Sequence, residues 1–449
     1  MSALRFKRYP AYKESGVDWL GKIPMHWNVR RLKTIANVQA SNVDKKSVDG
    51  QEAVRLCNYV DVYYNERITA DIEFMPATAT PEQVRYFSLR IGDVLITKDS
   101  ESWTDIAVPA VVTEDLPNVL CGYHLALVRP APDCEGAFLA RAFSAIGPRD
   151  QFRVAANGIT RFGLGGDAIR TGLFATPPAQ EQRTIAAFLD RETARIDALV
   201  AKKERLIELL LEQRTALITR AVTRGLNPNV PMKASGVEWL GEIPAHWNVE
   251  RIKWVARMES GHTPDKKIAS YWQGGDIPWV SLADTGQLRE VDYIADTAVR
   301  TTADGIAHSS AHILPPGTVV FSRDATIGVC AITRVGMAVS QHFIGWVCTE
   351  RINPEYLLFV LRSMTEELER VTMGATVRTI GMPDVRRLMT PIPPLREQQT
   401  IVNHVRKCRS EVDGLVSKIQ DAIDRLNEFR AALVSAAVTG KIDVREKVA

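Results

Sequence analysis

The chain carries one twenty-residue passage twice. Residues 15–34 read SGVDWLGKIPMHWNVRRLKT and residues 235–254 read SGVEWLGEIPAHWNVERIKW, identical at fourteen of twenty positions. A second pair of repeats follows at its own constant offset. PPAQEQRTIAAFLD at 177–190 returns as PPLREQQTIVNHVR at 393–406, and RTALITRAVT at 214–223 returns as RAALVSAAVT at 430–439. Internal repetition constrains the fold before local propensity does, because each copy must build the same supersecondary unit. The stretches held between the repeats, 35–176 and 255–392, occupy the same slot in each copy yet differ almost throughout. A constant frame with two variable inserts implies one molecule that reads two different things.

Inside each copy the lead-in passage contains Gly16, Gly21 and Pro24. It reads as an irregular, aromatic-anchored segment, followed at Val29–Val38 by a short strand or helix. The inserts read as mixed α and β. In the second, DIPWVSL (276–282), TVVFSR (318–323), GVCAIT (328–333) and HFIGWVC (342–348) are apolar runs rich in β-branched residues and bounded by turn formers, which is a strand signature. PEYLLFVLRSM (354–364) reads as a short amphipathic helix. The first insert gives the same order with AVRLCNYVDV (53–62), DVLIT (93–97), PAVVTE (109–114), HLALVRP (124–130) and FLARAFSAI (138–146). Both inserts end in a Gly-rich turn, NGITRFGLGGD (157–167) and GATVRTIGMPD (374–384), and then a strand-like exit into Pro-Pro.

Pro177-Pro178 and Pro393-Pro394 block helix upstream and permit it just downstream. Apolar residues then recur at steps of three and four. The first seam is Ile185, Leu189, Ile196, Leu199, Leu206, Leu210 and Leu217, interrupted by Glu192, Lys203 and Gln213. The second is Ile401, Val405, Cys408, Val412, Leu415, Ile419, Ala422, Leu426, Phe429 and Leu433. Sustained heptads predict two mutually paired coiled-coil helices. A helix of about 40 residues is roughly 60 Å long, and each buried Leu or Ile stabilises the pair by ~1.5–3 kcal/mol. The polar interruptions either fix register or face solvent. RGLNPNVP (224–231) is a linker.

The predicted fold class is α+β: two mixed α/β domains joined by two long antiparallel coiled-coil helices, with a pseudo-two-fold internal repeat. The expected boundaries are 1–176 for the first insert domain with its lead-in and 177–224 for the first long helix. Residues 225–392 hold the linker, second lead-in and second domain, and 393–449 the second helix and tail. A chain of 449 residues has room for roughly two to four such cores.

Taken together, the twin WLGxIPxHWNV segments, YWQGGDIPWVSLAD (271–284), LPPGTVVFSRDATIGVCAI (314–332), AVSQHFIGWV (338–347) and the twin PPxxEQxTI helix starts resemble the specificity subunit of type I restriction-modification systems. The resemblance covers essentially the whole chain. It implies two target-recognition domains, each reading one half of a split double-stranded DNA target. It implies helices that set the spacing between halves and dock two methyltransferase subunits, with motor-endonuclease subunits joining that core. Two unlike inserts related by an approximate two-fold axis would read an asymmetric, interrupted target, with half-site spacing a geometric property of the helices. S-adenosylmethionine, ATP and Mg are expected only in the partner subunits, with no cofactor in this chain.

The residues themselves show no enzyme. No Asn/Asp-Pro-Pro-aromatic loop for a flipped base is present, and no GxxxxGK[ST] loop for a nucleotide-driven motor. Asp265-Lys266-Lys267 reads as a solvated loop. The eight His lack HxxxH spacing and the six Cys lack a CxxC pair, so neither a metal site nor a disulfide frame is expected. Reduced thiols, no apolar run near the ~20 residues of a membrane span and no secretory h-region predict a cytoplasmic protein. The net charge of +3 is weak support for nucleic-acid binding and does not exclude it. Other readings stay open at this point: a DNA-modifying enzyme with an unrecognised site, an orphan or decoy specificity-like scaffold, or a structural coiled-coil linker.

Candidate DNA contacts lie on loops that differ between the inserts, where Lys, Arg, Ser, Thr and Asn supply donors to phosphate and base edges. They are Lys98, Ser100 and Ser102 with Trp103 in the first, and Arg323 and Thr326 in the second. Lys98 and Arg323 hold the same place, each before an Asp, and have the alternative of an ion pair with Asp99 or Asp324. The Gly-rich turns offer Asn157, Thr160 and Arg161, and Thr376, Arg378 and Thr379, with the alternative of a plain turn. The His262–Lys267 loop and Gln341-His342 are weaker candidates. Trp272 and Trp279 read as core. The repeated Trp19, Trp27, Trp239 and Trp247 read as frame packing or subunit docking, because a base reader should differ between copies.

Overall fold

The protein is described by a computed structural model over residues 6–374 and 378–447. It divides into two compact units. The first takes residues 1–203 and 420–449, and the second residues 204–419.

In the first unit a five-stranded sheet has the order Ala36–Ala40, Leu125–Pro130, Val94–Thr97, Pro109–Val112, Arg67–Ile68. Neighbours are antiparallel except the last pair. Val94–Thr97 is buried on both faces, and the strand period of two divides its side chains between two cores. Val94 and Ile96 join the core shared with the helix Gly136–Ser144, while Leu95 joins a second core against the sheet Val119–Cys121, Glu52–Cys57, Met75–Ala79. The run 53–62, expected as one strand, stops at Cys57. Asn58 opens a capping box with Asp61 and starts the helical turn Tyr59–Tyr63, which is the competition Asx side chains set up against a strand.

The second unit repeats this plan. Its five strands are Ala256–Ser260, Phe343–Cys348, Val319–Ser322, Cys330–Thr333 and Tyr293–Ile294, and its second sheet is Arg300–Thr301, Ile277–Val280, Ala338–Val339. Val319 and Phe321 face one core and Val320 the other. The helix Pro354–Ser363 covers the sheet, capped by Asn353 with Pro at its first turn.

Each repeated lead-in forms a small antiparallel pair, Tyr12–Glu14 with Lys22–Pro24 and Met232–Ala234 with Glu242–Pro244. The stretch after it is a strand in both units. Asn28–Arg31 pairs with the exit strand Leu173–Thr176, and Asn248–Arg251 with Met389–Ile392. Entrance and exit of each insert are thus stapled together, so the repeated passages bracket the variable ones.

The long helices run Ala179–Arg224 and Leu395–Val438. In the first unit they pass antiparallel. Near one end Arg445, just past the second helix, lies over the Tyr9 ring, and Tyr9 Oη donates to Glu181 Oε1 at 2.7 Å. Further along, Arg430 Nε donates to Asp197 Oδ1 at 2.8 Å. In the second unit Gly225 abuts Glu397, and Arg214 Nη1 donates to Asp413 Oδ1 at 2.5 Å. The predicted seams are only partly buried. Ile185, Leu189, Ile196, Ile401, Val405, Val412, Leu426 and Leu433 are buried, whereas Leu199, Leu206, Leu217, Leu415 and Phe429 are exposed. Burial concentrates where the domains press on the helix ends and thins along the middle. Both helices stop at a glycine with φ +72°, Gly225 and Gly440, the left-handed C-terminal cap that a Cβ would penalise.

Candidate nucleic-acid interface

An acid in the first turn of each long helix meets the repeated lead-in. Glu181 is buried and collects the lead-in. It accepts from Trp27 Nε1 at 3.1 Å and Tyr9 Oη at 2.7 Å, with His26 Nε2 2.7 Å from its other oxygen. Burial and this carboxylate push the Tyr9 phenol far above its usual range. Glu397 meets His246 Nε2 at 2.9 Å in the second unit. The full burial of Trp27 and Trp247 agrees with frame packing, while Trp19 is 40 % exposed.

The insert is locked to the helices by a second device, which the sequence reading missed. Glu66, just before the edge strand Arg67–Ile68, accepts from Arg141 Nη1 and Arg430 Nη2, both at 2.6 Å. Asp292, just before Tyr293–Ile294, accepts from Arg362 Nη1 and Arg409 Nη1, both at 2.5 Å. Burial would raise both carboxyls, but the paired guanidiniums hold them below their ordinary values. Each acid joins a domain helix to a long helix, so each insert domain is fixed in orientation on its own stretch of long helix.

Just past the central strands Val94–Thr97 and Val319–Ser322 lie the candidate contacts. Lys98 N donates to His124 O and Arg323 N donates to His342 O, both at 3.0 Å, which sets the two loops in one register. Lys98 is turned inward onto Asp99 and stacks over the Tyr123 ring at 5.0 Å. Arg323 donates to Gln341 O and Ile380 O, both at 3.2 Å, and lies 3.4 Å from Asp324. Both cations therefore hold the intramolecular pairs that were their alternative. Ser100 is buried, with its hydroxyl 3.1 Å from Tyr59 Oη. Ser102 caps the turn Trp103–Asp105. Asn157 donates to Ala155 O at 3.1 Å and pairs with Gly163 across the turn. Thr160 and Arg161 are exposed, and Arg161 Nη2 lies 2.9 Å from His124 Nε2. Thr376 lies outside the described residues.

Arg161 and Arg378 are one residue out of register. Leu164 N donates to Lys98 O at 2.8 Å and Ile380 N to Arg323 O at 2.9 Å, so Arg378 corresponds to Phe162. A one-residue slip in extended chain reverses the side-chain direction. Arg161 accordingly meets His124, whereas Arg378 lines a surface cavity of about 450 Å³ with Thr326, Arg362 and Leu368. Two histidines hold matching places in the loops, His342, a weaker candidate in the sequence, and His124, which was not named. His124 Nδ1 is 3.1 Å from Asp99 Oδ2, and His342 Nδ1 is 2.8 Å from Asp324 Oδ2. The available signal was that each His immediately precedes the matching strand in both inserts. Trp272 and Trp279 pack edge to face at 5.0 Å and wall a cavity of about 620 Å³ that Thr263, Ser340, Gln341 and His342 also line. They are therefore partly cavity wall and not solely core.

Residues 244–424 match the family described as Type I restriction modification DNA specificity domain. The type I restriction enzyme MjaIX specificity subunit of Methanocaldococcus jannaschii is 32% identical over 164 residues, 36% of this chain and 38% of that protein. The putative MjaX specificity subunit of the same organism is 20% identical over 448 residues, 98% of this chain and 99% of that one. Both relatives, like the matched family, are described as type I restriction-modification specificity proteins. The EcoKI specificity subunit of Escherichia coli K12 is 20% identical over 94% of this chain and 90% of its own length. The fold agrees. A structure reported for complex assembly and conformational transition of the type I R-M system superposes with TM-score 0.70 at 17% identity, over 93% of this chain and 98% of that one. The HsdS subunit of Thermoanaerobacter tengcongensis gives TM-score 0.57 at 18% identity, over 96% and 100%. The described residues contain no group of three or more His, Cys, Asp or Glu placed to hold a metal. No described helix is long and apolar enough to cross a membrane.

Proposed function

We propose that this chain is the non-catalytic DNA-recognition subunit of a type I restriction-modification enzyme, reading a split, asymmetric double-stranded target. One observation carries the reading: two units of one fold keep the same helix and lead-in contacts while their loop tips differ. Glu181 and Gln182 in one unit, and Glu397 and Gln398 in the other, hold equivalent frame positions. Lys98, Tyr123 and Arg161 stand in one loop cluster, and Arg323, Gln341 and Thr379 in the other. Identical frames bring unlike surfaces to equivalent places, which suits unlike half-sites.

In this reading the long helices pair as a coiled coil with approximate two-fold symmetry and act as the spacer between half-sites. Their exposed leucines receive two methyltransferase subunits, which bring S-adenosylmethionine. Motor-endonuclease subunits bring ATP and Mg, and the complex works in the cytoplasm. Among the candidate contacts, Thr160, Arg161, Thr326 and Arg378 stay available to DNA, while Lys98, Ser100, Ser102, Asn157 and Arg323 shape the loops that carry it.

Co-expression with the neighbouring methyltransferase, followed by single-molecule mapping of methylated bases, tests the reading. The expected result is an interrupted motif with two fixed, unlike halves and an unread spacer. Methyl transfer by the isolated chain, or a stable complex that methylates nothing, would overturn it.

A further inference from the structure

The two recognition domains share almost no sequence at their tips, yet both keep an Asp–His pair in the same backbone setting. Asp99 and Asp324 directly follow the residues whose amides bond His124 O and His342 O. Both acids sit near the loop base, and each faces an Nδ1, at 3.1 and 2.8 Å. A carboxylate facing Nδ1 makes that nitrogen the proton carrier and leaves Nε2 on the far side of the ring. His342 also borders the open cavity lined by Gln341 and Thr263. The neighbours of the pairs change with the insert. Tyr123 packs edge-on against His124 at 4.7 Å where the other unit has Gln341. A residue that reads a base should differ between unlike half-sites, whereas one that grips the backbone need not.

We propose that His124 and His342 are matched phosphate contacts, one per half-site, each donating from Nε2 to a backbone phosphate oxygen while its Asp holds Nδ1–H. The inference rests on the DNA-recognition reading above. With Nδ1–H kept on the carboxylate, Nε2 donates only after the ring takes one proton from water, so the bound contact is cationic and charge-assisted. The groups facing His124 are Asp99, Lys98, Tyr123 and Arg161. Those facing His342 are Asp324, Arg323, Gln341 and Thr379, the last two through a contact of their own with the ring or with Asp324. Arg161, already 2.9 Å from Nε2, turns to share the same phosphate.

The test uses the full chain co-purified with its methyltransferase. Affinity is measured over a series of potassium chloride concentrations for a duplex bearing the mapped target and for a scrambled duplex. His124→Ala and His342→Ala should each weaken both duplexes by the same factor, about tenfold. Each should also flatten the dependence of log affinity on log salt by about 0.9, the value of one phosphate contact. His342→Lys should restore the slope, which a merely structural histidine would not allow. His→Gln variants serve where Ala impairs folding. An unchanged slope, or a loss confined to the target duplex, overturns the proposal. A wild-type complex that binds neither duplex overturns the DNA-recognition reading itself and the proposal with it.

Discussion

Gln182 and Gln398 are fully buried side chains that make the same three hydrogen bonds in the two units. Gln182 Oε1 accepts from Glu135 N at 2.8 Å, and its Nε2 donates to Asp133 O at 3.1 Å and Pro177 O at 2.9 Å. Gln398 accepts from Asn353 N at 2.8 Å and donates to Arg351 O at 3.0 Å and Pro393 O at 2.9 Å. Each pins the loop that starts a domain helix to the first turn of a long helix. Truncation strands buried backbone groups, and that desolvation cost exceeds the worth of the bonds themselves. Gln182→Ala should therefore destabilise the first unit, and Gln398→Ala the second, by roughly 2–3 kcal/mol. Urea unfolding followed by hydrogen exchange would show it, with faster exchange confined to the altered unit. Uniform exchange across both units would show that the pin is not local.

The two core tryptophans predict an asymmetry between the repeats. Trp27 Nε1 donates to Glu181 at 3.1 Å, while Trp247 Nε1 is buried without a partner. Trp27→Phe removes a donor to a buried carboxylate and should cost about 1–3 kcal/mol. Trp247→Phe deletes only an unsatisfied N–H and some volume, and should cost less than about 1.5 kcal/mol. Paired denaturation curves check the order; equal costs would mean that the Glu181 bond contributes nothing net.

The frame was legible in the sequence because its constraints are local. The Pro-Pro starts, the repeated lead-ins and the strand runs of Val94–Thr97 and Val319–Ser322 all carry their signal within a few residues. What was not legible depends on partners far along the chain. Lys441 Nζ donates to Leu20 O at 2.7 Å and Lys22 O at 2.6 Å, so the chain's two ends build one unit. No periodicity announces such a contact. Heptads marked the long helices but could not tell that Leu206 and Leu415 would be exposed, since a helix repeat does not say what covers it. At the loop tips the sequence named candidates in both inserts. For Lys98 and Arg323 it left the choice between DNA and an ion pair open, because only the folded loops bring Asp99 and Asp324 onto those charges.

Acid should loosen both insert domains from their helices. Glu66 and Asp292 are held below their ordinary values of 4.5 and 3.8 by the arginine pairs that face them. A carboxyl whose folded value is depressed stabilises the fold above its unfolded value and loses that contribution as pH falls through the folded one. Stability should thus be flat above about pH 5 and erode from about pH 4.5 downward. Glu66→Gln should flatten the acid limb of the first unit and Asp292→Asn that of the second, each at some loss of stability at neutral pH. Thermal unfolding from pH 3 to 7 measures this, and an acid limb unchanged in both variants would assign it to other carboxylates.

The exposed leucines of the first long helix give the last prediction. Leu206, Leu209, Leu211 and Leu217 are each 36–46% exposed. In the same unit Leu211 and Trp239 line an open surface groove with Thr215 and Thr219. Monomeric proteins rarely leave a contiguous apolar face of this kind uncovered, and such faces mark association sites or aggregation hazards. If the methyltransferase covers it, Leu206→Glu with Leu209→Glu should act in opposite directions on two readouts. The free chain should become more soluble, because charge replaces apolar surface. The co-purified methyltransferase should be lost, because an uncompensated carboxylate would be buried in the joint. Sedimentation of the free chain and affinity co-purification of the complex separate the two effects. Retention of the methyltransferase by the double variant would place the docking surface elsewhere on the chain and leave these leucines as a solubility liability alone.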